Sequence, residues 1–266
     1  MEVELEKVGI NRKEKIISIS SLNPLVAFVG EKIIDVCKKI SSNLHRSLPV
    51  VDKKFQLKGV VTITDIFNLF LSGGEMGLSI ENVMSREVVS CEANETIEHV
   101  LQKMKISKRG RLPVLSTNKV VGIISETDFI LASKNFDVFD DIKIEEVMIK
   151  KPFFIPSTFN IKEVIRTMVY GKYRRLPIVE NGNLVGYITS TLLFKNLVDN
   201  SFSNSFLNKK VSEIMTKNPI VVQKHEKLKN VLKRMKERKI SSMLIVDENN
   251  KLEGIFTERD FINLLI

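Results

Sequence analysis

Tryptophan is absent from this 266-residue chain, tyrosine and histidine occur three times each, and cysteine occurs twice. Each shortage closes off a class of protein. Three histidines without paired spacing, beside two separated cysteines, make no metal-ligand pattern. Cys37 and Cys91 sit singly in apolar periodic segments, so no disulfide framework is expected and a reducing, cytoplasmic setting suits the chain. Aromatics are few and the basic residues are spread along the chain, which disfavours a nucleic-acid platform built from a basic stripe with stacking rings. No apolar run approaches the length of a membrane span. The opening MEVELEKVGINRKEK lacks the apolar centre of a secretory leader, so no membrane association is expected. No glycine-rich phosphate loop, nucleophile elbow or paired-carboxylate pattern argues for catalysis. The expectation is a protein that is not an enzyme and requires no cofactor or metal.

What is present is substantial. The apolar share is 43%, enough to bury real cores, and the length suits two domains of ordinary size. A net charge of +9 favours anionic partners such as nucleotides or acidic protein surfaces.

The chain repeats itself. Four segments align almost without gaps, starting at Asn23 (NPLVAFVGEKIIDV), Glu87 (EVVSCEANETIEHV), Lys151 (KPFFIPSTFNIKEV) and Asn218 (NPIVVQKHEKLKNV). In each, a short β-branched run reads as a strand, as at Val88-Val89, Phe153-Phe154-Ile155 and Ile220-Val221-Val222. A helix follows, with apolar residues at i, i+3, i+4 and i+7. These are Ile33, Val36, Cys37 and Ile40; Ile97, Val100, Leu101 and Met104; Ile161, Val164, Ile165 and Met168; and Leu228, Val231, Leu232 and Met235. Two strands around a polar turn come next, as in LPIVENGNLVGYIT, and then a second apolar helix. One unit of about fifty residues cannot bury its own helix faces and sheet, so the units must pair.

The unit NPxxV, helix, RLPVV, GxxTxxD resembles the cystathionine-β-synthase-type (CBS) repeat, and the resemblance covers nearly the whole chain. It implies an α+β fold of four CBS repeats (β-α-β-β-α), paired into two Bateman modules that close a disc. The first pair is expected over 1–135 (repeats about 10–72 and 80–134) and the second over 136–266 (repeats about 144–200 and 210–266). The layout is similar to the gamma regulatory subunit of AMP-activated protein kinase and to archaeal four-repeat relatives. The resemblance implies a regulatory, non-catalytic role with AMP, ADP or ATP bound in clefts between repeats, a protein effector as target, and room for a homodimer. The competing readings are a CBS-fold scaffold without ligand response and a nucleic-acid-binding CBS protein.

Three copies end in a hydroxyl-x-x-Asp step: Thr62 to Asp65, Ser125 to Asp128 and Thr257 to Asp260. A carboxylate can accept from both hydroxyls of a ribose, and its charge strengthens those bonds. The resemblance assigns ribose to Asp65, Asp128 and Asp260, with Thr62, Thr64, Ser125, Thr127 and Thr257 contacting ribose or phosphate. The same pattern is also a capping box, which needs no ligand. The third copy keeps Thr189 and its apolar helix but carries Leu192 in place of the aspartate, so its site is expected to be vacant or weak. A basic cluster precedes the LP step: His45 and Arg46, then Lys108, Arg109 and Arg111, then Arg174 and Arg175, with Ser241 and Ser242 in the fourth copy. Guanidinium forks match phosphate oxygens, although basic residues also suit a solvated helix end. Asp260 with Arg174 or Arg175 could complete one site. Adenine slots are sought near Leu25-Val26, Val89-Ser90 and Ile220-Val221, with the LPVV-type strands. KLKNVLKRMKERK (227–239) reads as a solvated basic face over a packed stripe, with docking of a partner as the alternative.

Overall fold

The computed structural model describes residues 2–266. Repeats 1, 2 and 4 carry the expected order of elements, and repeat 3 carries it with its leading strand reduced to a single bridge. In repeat 1 the strand Ala27–Phe28 leads to the helix Ile33–Ser42, the strands Ser47–Val51 and Leu57–Thr62, and the helix Ile63–Leu71. Repeat 2 runs Cys91–Glu92, Ile97–Ser107, Arg111–Ser116, Lys119–Ser125 and Glu126–Ala132. Repeat 3 has the helix Ile161–Tyr170, the strands Arg175–Glu180 and Asn183–Thr189, and the helix Ser190–Asp199. Repeat 4 runs Val221–Gln223, Leu228–Arg238, Ser242–Val246, Leu252–Thr257 and Glu258–Leu264. The leading strand lies parallel to the next strand, which pairs antiparallel with its successor.

The leading strands do not coincide with the β-branched runs. In repeat 2 the strand is Cys91–Glu92, so Val88-Val89 precede it. In repeat 3 only Ile155 bridges to Ile178, while Phe153 and Phe154 stand half exposed outside any strand. A strand held by two or three residue pairs gains little from β-propensity, so partner register decides its limits. Asn23, Lys151 and Asn218, at φ near 49–52°, turn the chain just before these segments.

All sixteen periodic helix positions are buried, none more than 3% exposed. Each such side chain contributes about 1.5–3 kcal/mol when withdrawn from water, so a repeat left alone would expose most of its stabilisation. Two compact units solve this, and they are interleaved along the chain rather than consecutive halves. Unit 1 takes the residues up to Pro24, Val89–Pro152 and Ile220–Ile266; unit 2 takes Leu25–Val88 and Phe153–Pro219. The first helices of repeats 2 and 4 therefore share one core, with Phe129, Phe139 and Phe261. Those of repeats 1 and 3 share the other, where Phe67 meets Phe194 edge-on at 5.9 Å between centroids.

Within each unit, a leading segment from elsewhere in the chain joins a repeat's sheet. In unit 1, Ser21–Leu22 pairs with Lys119–Ser125, and Ile149–Lys150 with Leu252–Thr257. In unit 2, Ser85 bridges Val60, and Thr216–Lys217 pairs with Asn183–Thr189. A strand glycine makes room for this segment. A Cβ on Gly59, Gly186 or Gly254 would stand 2.7, 2.3 or 2.3 Å from the sulfur of Met84, Met215 or Met148. The N-terminal segment is also tied down in unit 1: Val3 pairs with Leu264 and Ile266, and Leu5 and Val8 are buried. Among the described residues no helix is long and apolar enough to cross a membrane.

Candidate functional site

The turn before each inner strand and the start of the second helix are locked together in every repeat. The backbone N–H groups of Ile63, Glu126, Ser190 and Glu258 donate to the carbonyls of Arg46, Gly110, Arg174 and Ser241, at 2.9–3.1 Å. In the antiparallel register Ser47 faces Thr62, Arg111 faces Ser125, Arg175 faces Thr189 and Ser242 faces Thr257. Basic cluster and helix start are thus adjacent in repeats 1 to 3. Arg46, Arg111 and Arg175 are half-buried, as is His45, whereas Arg109 and Arg174 are exposed.

All three aspartates cap their own helices. Oδ2 of Asp65 accepts from the Thr62 N–H and hydroxyl, both at 2.8 Å, and the Asp65 N–H donates to the Thr62 hydroxyl oxygen at 3.2 Å. Oδ2 of Asp128 takes the Ser125 N–H at 2.7 Å and hydroxyl at 2.6 Å. Oδ2 of Asp260 takes both from Thr257 at 2.7 Å. These caps occupy one oxygen of each carboxylate. An ionised carboxylate has about four lone-pair positions, so capping and ligand recognition are compatible uses of one residue. At Asp128 the Ser21 hydroxyl also approaches Oδ1 at 3.4 Å. Burial pushes the Asp128 carboxyl above its ordinary pKa, opposed by the Ser125 bonds and the nearby Arg111 charge.

Repeat 3 keeps half of this arrangement. The Leu192 N–H still donates to the Thr189 hydroxyl at 3.1 Å, and the Thr189 and Thr191 hydroxyls lie 3.0 Å apart. Leu192 itself packs, partly buried, against the unit 2 core. Arg174 and Arg175 belong to unit 2 and Asp260 to unit 1.

The helix Ile63–Leu71 opens onto a groove of about 540 Å³ lined by Asp65, Asn68, Leu69, Ser72, Asn82 and Tyr170, among others. Of the adenine candidates, the LPVV-type strands are core: Leu48, Val50, Leu112, Val114, Leu176 and Ile178 are buried. Leu25, Val89, Ser90 and Val221 are half-buried, and Ile220 is exposed. The histidines at 99 and 225 stay on the surface, beside Glu95 at 3.1 Å and Glu145 at 2.9 Å. The basic helix of repeat 4 buries its apolar stripe while Lys227, Lys229 and Lys233 pair with Asp137 or Asp140. Among the described residues no group of three or more His, Cys, Asp or Glu could hold a metal ion.

Sequence reasoning passed over two glutamates and an arginine. Glu126 and Glu258 are each only 1% exposed. The Thr127 hydroxyl donates to Glu258 at 2.7 Å, and the Arg259 guanidinium pairs with Glu126 and donates to the Lys108 carbonyl at 3.2 Å. Thr127, a ligand candidate, is therefore engaged by a neighbouring repeat, whereas Thr64 is exposed.

A CBS-domain family model matches residues 16–72, 80–135, 144–199 and 211–266. The chain belongs to the CBS-domain family. Its four CBS repeats are similar to the uncharacterized protein MJ1225 of Methanocaldococcus jannaschii, 28% identical over 253 residues, which cover 84% of this chain and 88% of that protein. The crystal structure of MJ1225, described as a candidate archaeal homologue of g-AMPK, matches with a TM-score of 0.83 at 25% identity over 94% of this chain and 99% of that one. An uncharacterized conserved protein from Pyrococcus horikoshii shares the fold, with a TM-score of 0.62 and 21% identity over 94% and 99% of the two chains. L-aspartate semialdehyde sulfurtransferase of Methanocaldococcus jannaschii is 32% identical over 90% of this chain, which spans only 45% of that protein.

Proposed function

We propose that this CBS-domain protein is a non-catalytic regulatory protein that binds adenine nucleotides and passes their occupancy to a protein target. The observation that carries the reading is the adjacency in repeat 2. A carboxylate preset by its helix cap, Asp128, lies one strand pair from Arg111, whose position faces the cap residue Ser125. A ribose and a phosphate need such a pairing of acceptor and cation. Asp65 repeats the carboxylate in the repeat whose turn carries Arg46, and Asp260 repeats it with Ser241 and Ser242 where the other turns carry arginine. The similarity to MJ1225 supports the regulatory part of the reading. Functional modules over 1–135 and 136–266 belong to the same proposal.

A ligand-free scaffold is the second reading, and the complete capping boxes favour it, because they give each aspartate a purpose without nucleotide. Calorimetric titration with AMP, ADP and ATP decides between them. Submillimolar binding is expected for at least one nucleotide. Asp65→Ala, Asp128→Ala and Asp260→Ala should each remove or weaken one site. A lost charge-assisted hydrogen bond is worth about 1.5–3 kcal/mol, or roughly ten- to a hundredfold in affinity. Leu192→Asp should add a site, since Thr189 already stands where the cap requires it. A panel without any submillimolar binding would leave the scaffold reading in place.

A further inference from the structure

The helix starts of repeats 2 and 4 are cross-connected in unit 1. From repeat 2, Thr127 reaches Glu258; from repeat 4, Arg259 reaches Glu126 and the Lys108 carbonyl. The residues making these contacts lie inside the candidate ligand steps, and Thr127, itself a candidate in the sequence, is taken up by the contact. Glu126 and Thr127 stand between Ser125 and Asp128, and Glu258 and Arg259 stand between Thr257 and Asp260. The two glutamates are almost wholly withdrawn from water. A buried carboxylate that loses its partner is costly, so each bridge holds its two helix starts in fixed relation. Lys108 adds a third attachment. It ends the first helix of repeat 2 in the left-handed region, at φ 54°, next to Arg109. Arg259 therefore touches both the helix start of repeat 2 and its basic turn. Unit 2 offers the internal contrast, since its corresponding positions hold Ile63 and Thr64 in repeat 1 and Ser190 and Thr191 in repeat 3.

We infer that Thr127, Glu258, Arg259 and Glu126 form a cross-brace through which ligand bound beside Asp128 changes affinity beside Asp260, and the reverse. The inference rests on the nucleotide reading above. A ligand that draws on the Ser125–Asp128 step must shift or stiffen Glu126 and Thr127, which lie inside that step. Any such shift is delivered to Arg259 and Glu258, inside the Thr257–Asp260 step. Arg259 and Thr127 are positioning residues in this scheme. Thermodynamic linkage requires the coupling to be equal in both directions.

The test is AMP calorimetry on the full chain in an Asp65→Ala background. Adding Asp128→Ala or Asp260→Ala isolates one site, and comparison with the two-site isotherm gives the coupling factor. A factor of about fivefold or more is expected, the same measured from either site. Thr127→Val, nearly isosteric, and the charge-neutral double variant Glu126→Gln with Arg259→Gln should each bring it to within about twofold of unity. Melting curves verify that each variant folds, and either variant alone suffices to read the brace. Two binding sites with no coupling, or coupling that survives in either folded variant, would overturn the inference while leaving nucleotide binding intact. Absence of binding by AMP, ADP and ATP alike would overturn both.

Discussion

Asp128 faces two demands that pull against each other. Under the proposed nucleotide reading it must be ionised to accept from a ribose, yet burial pushes its carboxyl above the ordinary range. The unfolded chain holds this group near pH 3.9. Below about pH 4 it is protonated in both states and contributes no difference. As pH rises through the higher folded value, the folded state must give up its proton at a cost, so stability falls. Asp128→Asn cannot ionise and its amide oxygen can still cap. Its melting temperature relative to the native chain should therefore climb as pH rises above about 4, while AMP affinity drops. A difference that stays flat across that range would contradict the burial argument. The Asp128 cap was legible in the sequence because it is one local three-residue spacing. Glu126 and Arg259 were not, because their partners lie 133 positions apart. The trace they left is alternation: glutamate follows the cap residue in copies two and four, but isoleucine and serine do so in copies one and three.

At the scale of elements, helices were readable and leading strands were not. A helix of ten residues carries its periodicity within itself, and every apolar position assigned from that periodicity is buried. A two-residue strand such as Cys91–Glu92 exists only through its partner Val114–Leu115, so its own residues barely announce it. The strand glycines are intermediate: their recurrence shows in the alignment, but the methionine above each comes from a distant segment. Gly59 is the tightest to relieve, because a Cβ there would stand 2.7 Å from the Met84 sulfur and 2.8 Å from the Ser85 backbone oxygen. A methionine can swing aside, whereas a bridged carbonyl cannot. Gly59→Ala should lose about 1–3 kcal/mol in urea unfolding, the usual range for overpacking. Gly77→Ala, with nothing within 4 Å, serves as the neutral control.

For the whole molecule, the interleaved units make the two halves of the chain interdependent. The repeat 2 helix faces are covered by repeat 4, and those of repeat 1 by repeat 3. Neither cover is present in a fragment of residues 1–135. Such a fragment should self-associate, or capture residues 136–266 when mixed, as read by light scattering; a monomer melting cooperatively would contradict the shared cores. The two cysteines give this arrangement an unexpected use. Cys37 lies in unit 2 and Cys91 in unit 1, each buried, with burial pushing each thiol to about 12. At neutral pH the thiolate fraction of such a group is on the order of 10⁻⁵. Iodoacetamide should therefore leave both untouched for as long as the fold holds and label them fully in denaturant. Peptide mass spectrometry then timestamps the opening of each core separately, so the native chain already carries two clocks, one per unit, without a single engineered label.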